Sequence, residues 1–123
     1  MQFDKSNKYN IINKMASKIS LYDLYEIKKK KDTKINEAFN VILKTCHNKI
    51  KSIAEIGGQS LYYKIPPIVI GYPLYSHSTC IEYIIKSLQK CGLYVSLLPN
   101  NAMIYISWKI EDVKESQKYL LLQ

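Results

Sequence analysis

Cys80–Trp108 reads CIEYIIKSLQKCGLYVSLLPNNAMIYISW, and its hydrophobic period changes half-way along. Ile81, Ile84, Ile85, Leu88 and Cys91 recur every three or four residues, which places them on one side of a helix. Ser76 or Ser78 opens that helix, since a side-chain oxygen can accept from its first unpaired amides. Gly92 ends it. Beyond Gly92 the period falls to two: Ile104, Ile106 and Trp108 face one way, Met103, Tyr105 and Ser107 the other. LYVSLL and AMIYISW are therefore two strands. Asn100 and Asn101 tolerate positive φ and join them as a hairpin. A helix followed by a hairpin points to the α+β class.

Working outward, the strongest helical signal runs from Lys34 to Ile56. Ile35, Phe39, Ile42, Cys46, Ile50 and Ile53 stay within about a quarter-circle at 100° per residue. Gly57-Gly58 is a stop signal. Upstream, Ser20 and Asp23 have the spacing of a capping box. Leu21 and Leu24 extend the same apolar stripe, but Lys28 and Asp32 fall on it too. With no Gly or Pro to force a break, one long helix is expected, bent or frayed at the lysines.

SLYYKIP is rich in β-formers, and Pro66 and Pro67 lack an amide donor, so it reads as an edge strand or a strand end. IVIGYPLY follows as a second extended stretch. It is expected to cross the core and to turn at Gly71 and Pro73. A short helix over 111–121 closes the chain. The fold expected is α+β, a long N-terminal helix packed on a small, mostly antiparallel sheet with a helix–β-hairpin unit. Residues 1–19 read as a flexible arm and 20–123 as one domain. The expected core is Phe39, Ile42, Cys46, Ile50, Ile81, Ile84, Ile85, Leu88, Val95, Ile104 and Ile106.

The chain has 123 residues and a formal charge of +8, and all eighteen of its basic residues are lysine. Residues 28–51 hold eight lysines against Asp32 and Glu37, so that segment alone carries six of the eight charges. Lysine, asparagine, isoleucine and tyrosine usage of this kind is also what an A+T-rich genome imposes. The three cysteines are odd in number and sparse, which fits a reducing compartment. The longest apolar run is half the ~20 residues of a spanning helix and is broken by prolines. Met1–Lys18 has no apolar block of the kind a signal peptide needs. Membrane insertion is not expected.

No constellation for chemistry emerges. Cys46, His47, His77, Cys80 and Cys91 are the soft metal ligands, and His77-x-x-Cys80 has half-site spacing. Cys80 and Cys91, though, lie three helical turns apart and cannot share an ion. Cys46 and His47 are neighbours on a helix and do not face each other. Gly57-Gly58-Gln59-Ser60 lacks the lysine and spacing of a phosphate loop. No catalytic residue, metal, cofactor or small-molecule substrate is assigned.

Two binding functions stay open. Lys28, Lys29, Lys30, Lys31, Lys34, Lys44, Lys49 and Lys51 could contact nucleic-acid phosphates without reading sequence. The helix–hairpin unit is shaped like the tail of a winged-helix module. However, Lys86 and Lys90 are the only cations on its helix, the PNN turn is uncharged, and arginine, the usual guanine reader, is missing. Among eleven tyrosines, Tyr62, Tyr63, Tyr72, Tyr75, Tyr94 and Tyr105 lie in extended segments. There they can pack the core, stack on bases or mark a protein interface. The first four are the candidate interaction residues.

One combination is more specific: Cys46, Lys49 and Ile50, then IPP (Ile65–Pro67), GYPLY (Gly71–Tyr75), Cys80 with Tyr83, Leu88, Gly92 and Val95, and ISW (Ile106–Trp108). In this combination, residues 20–108 resemble a family of short, lysine-rich, uncharacterised proteins of large nucleocytoplasmic DNA viruses. The resemblance implies a setting and no activity. That setting is the host cytoplasm, in a virus factory, with packaging into the virion. The expected function is a non-enzymatic viral interaction or structural protein that binds viral proteins or a second copy of itself, with helix 20–56 as the seam. The alternative is non-specific nucleic-acid binding by the lysine cluster.

Overall fold

The computed structural model describes residues 19–99 and 102–114. The arm, the hairpin turn and the end of the closing helix expected from sequence at 1–18, 100–101 and 115–121 lie outside the described residues. The chain groups into two units that divide between Lys34 and Ile35.

Helix α1 spans Leu21–Glu55 without interruption. Its start is the capping box read from sequence. The Asp23 amide donates to Ser20 Oγ at 3.1 Å and the Ser20 amide to Asp23 Oδ2 at 3.4 Å, satisfying two amides that the helix cannot. No fraying appears at the lysines. Lys28 and Asp32, which interrupt the apolar stripe, pair with each other at 2.8 Å one turn apart, a spacing a helix favours. In the first unit Leu21, Tyr22, Leu24, Tyr25 and Ile27 are exposed.

In the second unit the stripe is buried. Ala38, Phe39, Ile42 and Cys46 leave solvent, and Ile35, Leu43 and Ile50 pack around them. The helix ends as its two glycines require. The Gly57 amide donates to Ala54 O at 3.0 Å and the Gly58 amide to Ile53 O at 2.8 Å. That double bond needs a left-handed residue after the cap, and Gly57 has φ +92°.

Strand β1 is Ser60–Lys64, helix α2 His77–Lys90, strand β2 Tyr94–Leu97 and strand β3 Met103–Ser107. The sheet order is β1-β3-β2, with both pairings antiparallel. Ser76 is the cap of α2, accepting from the Thr79 amide. At the other end of α2, Gly92 (φ +88°) repeats the arrangement at Gly57, bonding to Gln89 O while Leu93 bonds to Leu88 O. Residues 110–114 are helical. They begin a turn in which Ser107 Oγ donates to Asp112 Oδ2 at 2.6 Å and accepts from the Lys109 amide.

The core joins α1, α2 and one face of the sheet: Phe39, Ile42, Cys46, Tyr63, Ile65, Cys80, Ile84, Leu88, Ala102, Ile104 and Ile106. Each fully buried isoleucine or leucine contributes about 1.5–3 kcal/mol of transfer free energy. The expected Ile50, Ile81, Ile85 and Val95 are half-buried against this cluster. On α2 the buried line is Cys80, Ile84 and Leu88, while Cys91 is exposed. Cys91 is the C-cap, not a helical residue, so the stripe never reaches it.

The stretch Ile65–Tyr75 departs from the extended path through the core. Ile65 is buried and its amide bonds to Ala102 O at 2.8 Å, but strand β1 stops at Lys64. From there the chain runs as a surface loop, and Ile68, Ile70 and Leu74 are exposed. The sheet already has its central strand, and prolines at 66, 67 and 73 cannot donate to a ladder.

Replacing Gly57 by alanine is expected to cost about 1 kcal/mol, because a Cβ disfavours the left-handed backbone there. Chemical denaturation of G57A beside the parent checks it, with an unchanged slope and a lower midpoint.

Candidate functional site

Strand β1 forms one edge of the sheet. The bonds from Ile65 to Ala102 and from Trp108 to Gln59 fix which of its peptide groups meet β3. With the register Leu61↔Ile106 and Tyr63↔Ile104, antiparallel alternation turns the peptide groups of Leu61 and Tyr63 towards β3. Those of Ser60, Tyr62 and Lys64 turn outward. Among the described residues these outward groups have no backbone partner.

Beside that edge lies an open groove of about 420 Å³, lined by Thr45, Asn48, Lys49, Ser52 and Ile53 of α1 and by Leu61 and Tyr62 of β1. The α1 residues recur at three and four, so they form the flank next to the buried stripe. Lys49 Nζ stands 6.0 Å from the Tyr63 ring centroid, within reach of a cation–π attraction. No acidic side chain lines the groove.

The sheet face away from the helices carries a tyrosine row across all three strands. Tyr62 and Tyr105 face each other in register, ring centroids 5.2 Å apart, and Tyr94 lies 6.3 Å beyond Tyr105. Tyr62 is exposed, and Tyr94 and Tyr105 are half-buried. The neighbouring Ser60 hydroxyl, with the nearby Lys109 charge, holds the Tyr105 phenol below its ordinary pKa. Lys64 shares this face by register with Met103.

The surface loop is pinned at both ends. Tyr75 OH donates to Pro66 O at 2.7 Å, His77 Nε2 lies 2.8 Å from Ile65 O, and the Tyr72 amide bonds to Val69 O. The Tyr75 ring meets Phe39 edge-on at 5.2 Å. The loop thus holds three bare aliphatic side chains on a tied backbone: Ile68, Ile70 and Leu74, at 55%, 93% and 75% exposure.

The tyrosines singled out from sequence separate by position. Tyr62 is exposed on the outer sheet face, at the rim of the groove. Tyr63 is buried, with its hydroxyl 3.4 Å from Ile42 O and its pKa pushed up to about 12 by burial. Tyr72 and Tyr75 are half-buried in the loop. The lysines separate too. Lys28–Lys31 are consecutive on a helix, 100° apart, so they ring it instead of lining one side. Lys44 and Lys51, seven apart, share a face, while Lys49 turns to the groove.

Cys46 and Cys80 are buried and their thiols are pushed up to about 11 by burial. Among the described residues no three His, Cys, Asp or Glu side chains group as a metal site. Nor, among them, is any helix long and apolar enough to cross a membrane. His77 serves the loop backbone, and the buried His47 Nε2 lacks a partner among the described residues.

Fold and surface together define an α+β chain whose second unit carries one open strand edge and one apolar loop tied by hydrogen bonds. The chain belongs to a family of unknown function, DUF5759, whose model matches residues 19–89. Groove and loop lie inside the matched span, and Tyr94 and Tyr105 lie outside it. No curated protein and no solved structure matches the chain.

Burial sets a thiol prediction. With pKa values near 11, Cys46 and Cys80 stay protonated at pH 8, and only the exposed Cys91 should react quickly with a disulfide reagent. Titration should count one fast thiol in the native chain and three in denaturant. Folded pKa values raised above the unfolded ones also make stability pH-dependent. The contribution is present below pH 9, the unfolded thiol value, and is lost as pH rises towards 11 and on towards 12, where Tyr63 titrates. Thermal unfolding at stepped pH should show the midpoint falling only in that window.

Proposed function

We propose that the chain is a non-enzymatic interaction protein that docks onto other proteins. The observation that carries this reading is the loop. Exposed aliphatic side chains on a flexible segment lose entropy when bound, whereas a loop tied by Tyr75 and His77 has already lost much of it. Ile70 and Leu74 are the anchors. Resemblance to lysine-rich proteins of large DNA viruses supports a setting in the infected cell's cytoplasm, with a role in virion assembly.

The test is a double substitution, Ile70→Asp with Leu74→Asp. Both side chains are exposed, so the thermal midpoint should stay within a few degrees. Recovery of partners from infected cells should fall at least about tenfold, since losing two apolar anchors costs more than 1.4 kcal/mol. Undiminished recovery by a folded variant contradicts the reading.

A second reading has one observation in its favour. The row Tyr62, Tyr105 and Tyr94, with Lys64 beside it, has the form of a stacking platform for single-stranded nucleic acid. Replacing Tyr62 by alanine should then weaken retention of a labelled oligothymidylate by about 1–3 kcal/mol. Equal retention by parent and variant, or none at low salt, removes that reading.

A further inference from the structure

We infer that the outer edge of β1 accepts an extended acidic segment of a partner protein as a fourth strand, seated in the groove against α1. The inference rests on the protein-docking reading above and names a second, separate contact.

Three observations converge on it. First, the peptide groups of Ser60, Tyr62 and Lys64 point outward, so an added strand finds donors and acceptors at every second residue. Their spacing matches the repeat of bonded pairs in an antiparallel ladder. Second, the groove leaves room on the helix side of that edge. In an added strand, side chains opposite Leu61 and Tyr63 share the face of those residues. They therefore point at Thr45, Asn48, Lys49 and Ser52, a wall of hydroxyl, amide and ammonium groups. The alternate side chains share the face of Tyr62 and Lys64. Each face of the added strand thus meets one lysine, Lys49 on one side and Lys64 on the other.

Third, the charges select the occupant. Among the described residues neither lysine has an acidic partner within ion-pair distance, and no carboxylate lines the groove. A segment with acidic residues at successive positions answers both cations. A second copy of this chain is the other natural occupant of a strand edge, but joining two chains of formal charge +8 opposes association.

The probe is an acetylated, amidated hexapeptide with two adjacent glutamates between valine pairs, Val-Val-Glu-Glu-Val-Val, so that each face carries one acid, and the control has lysines in place of the glutamates. The readout is amide hydrogen exchange and chemical shift on the isotopically labelled chain. In the free protein the Leu61 and Tyr63 amides should exchange about a hundredfold more slowly than those of Tyr62 and Lys64. The acidic peptide should slow the Tyr62 and Lys64 amides and leave those of β2 unchanged. The basic peptide should bind at least about tenfold more weakly, and Lys49→Glu, which leaves one cation and one anion at the edge, should abolish the preference.

Four results overturn the inference: Tyr62 and Lys64 amides already protected in the dilute free chain; no change at either with millimolar acidic peptide; peptide binding that shifts other residues only; or protection that rises with protein concentration and no peptide, which assigns the edge to a second copy. The Ile70→Asp, Leu74→Asp variant should bind the acidic peptide as the parent does. A failed groove therefore leaves the loop reading standing, and a failed loop does not decide the groove.

Discussion

The central strand constrains everything else in the second unit. Met103–Ser107 bonds to β1 on one side and to β2 on the other, while Ile104 and Ile106 are fully buried on the face that the helices cover. The peptide groups of β3 and the side chains of Ile104 and Ile106 are all committed. Once they are, β1 can only be an edge, and its outward peptide groups stay open. The residues after Lys64 have no strand left to join and must leave the sheet, carrying Ile68, Ile70 and Leu74 with them to the surface.

Chemistry-bearing groups are spent differently. Cys46 and Cys80 serve as small apolar residues, with burial holding them protonated. His77 and Tyr75 tie a loop to its own backbone, and Ser107 with Asp112 closes the turn after β3. What faces solvent is a set of surfaces suited to contact: a strand edge beside a cationic groove, a rigid aliphatic loop and a tyrosine-crossed sheet face. Each is built by non-local pairing.

That origin explains what could be read in the sequence. The helix period placed Phe39, Ile42 and Cys46 inside, and alternation placed Ile104 and Ile106 on one face, because each pattern is local. Two prolines marked β1 as an edge strand or strand end for a local reason as well. IVIGYPLY reads as a core-crossing stretch because apolarity alone does not say whether a residue finds a partner, and here β3 has already taken the available ladder. The apolar period of α2 runs through Ile81 and Cys91, yet Cys80 is the buried residue, since Cys91 is the C-cap and the buried line is Cys80, Ile84 and Leu88. Ser107 alternates onto the polar face but is buried by its bond to Asp112, a contact no periodicity announces. The groove depends on which flank of α1 lies beside β1, and that needed the register.

The most direct test of this account is native-state hydrogen exchange on the Ile104→Ala variant. If β3 organises the second unit, amides of β1, β2 and the α1 turn from Phe39 to Cys46 should lose protection together, by the same free energy, about 2–5 kcal/mol for this truncation. Loss confined to the sheet, with the α1 amides keeping their full protection, would show that helix and sheet do not share one core.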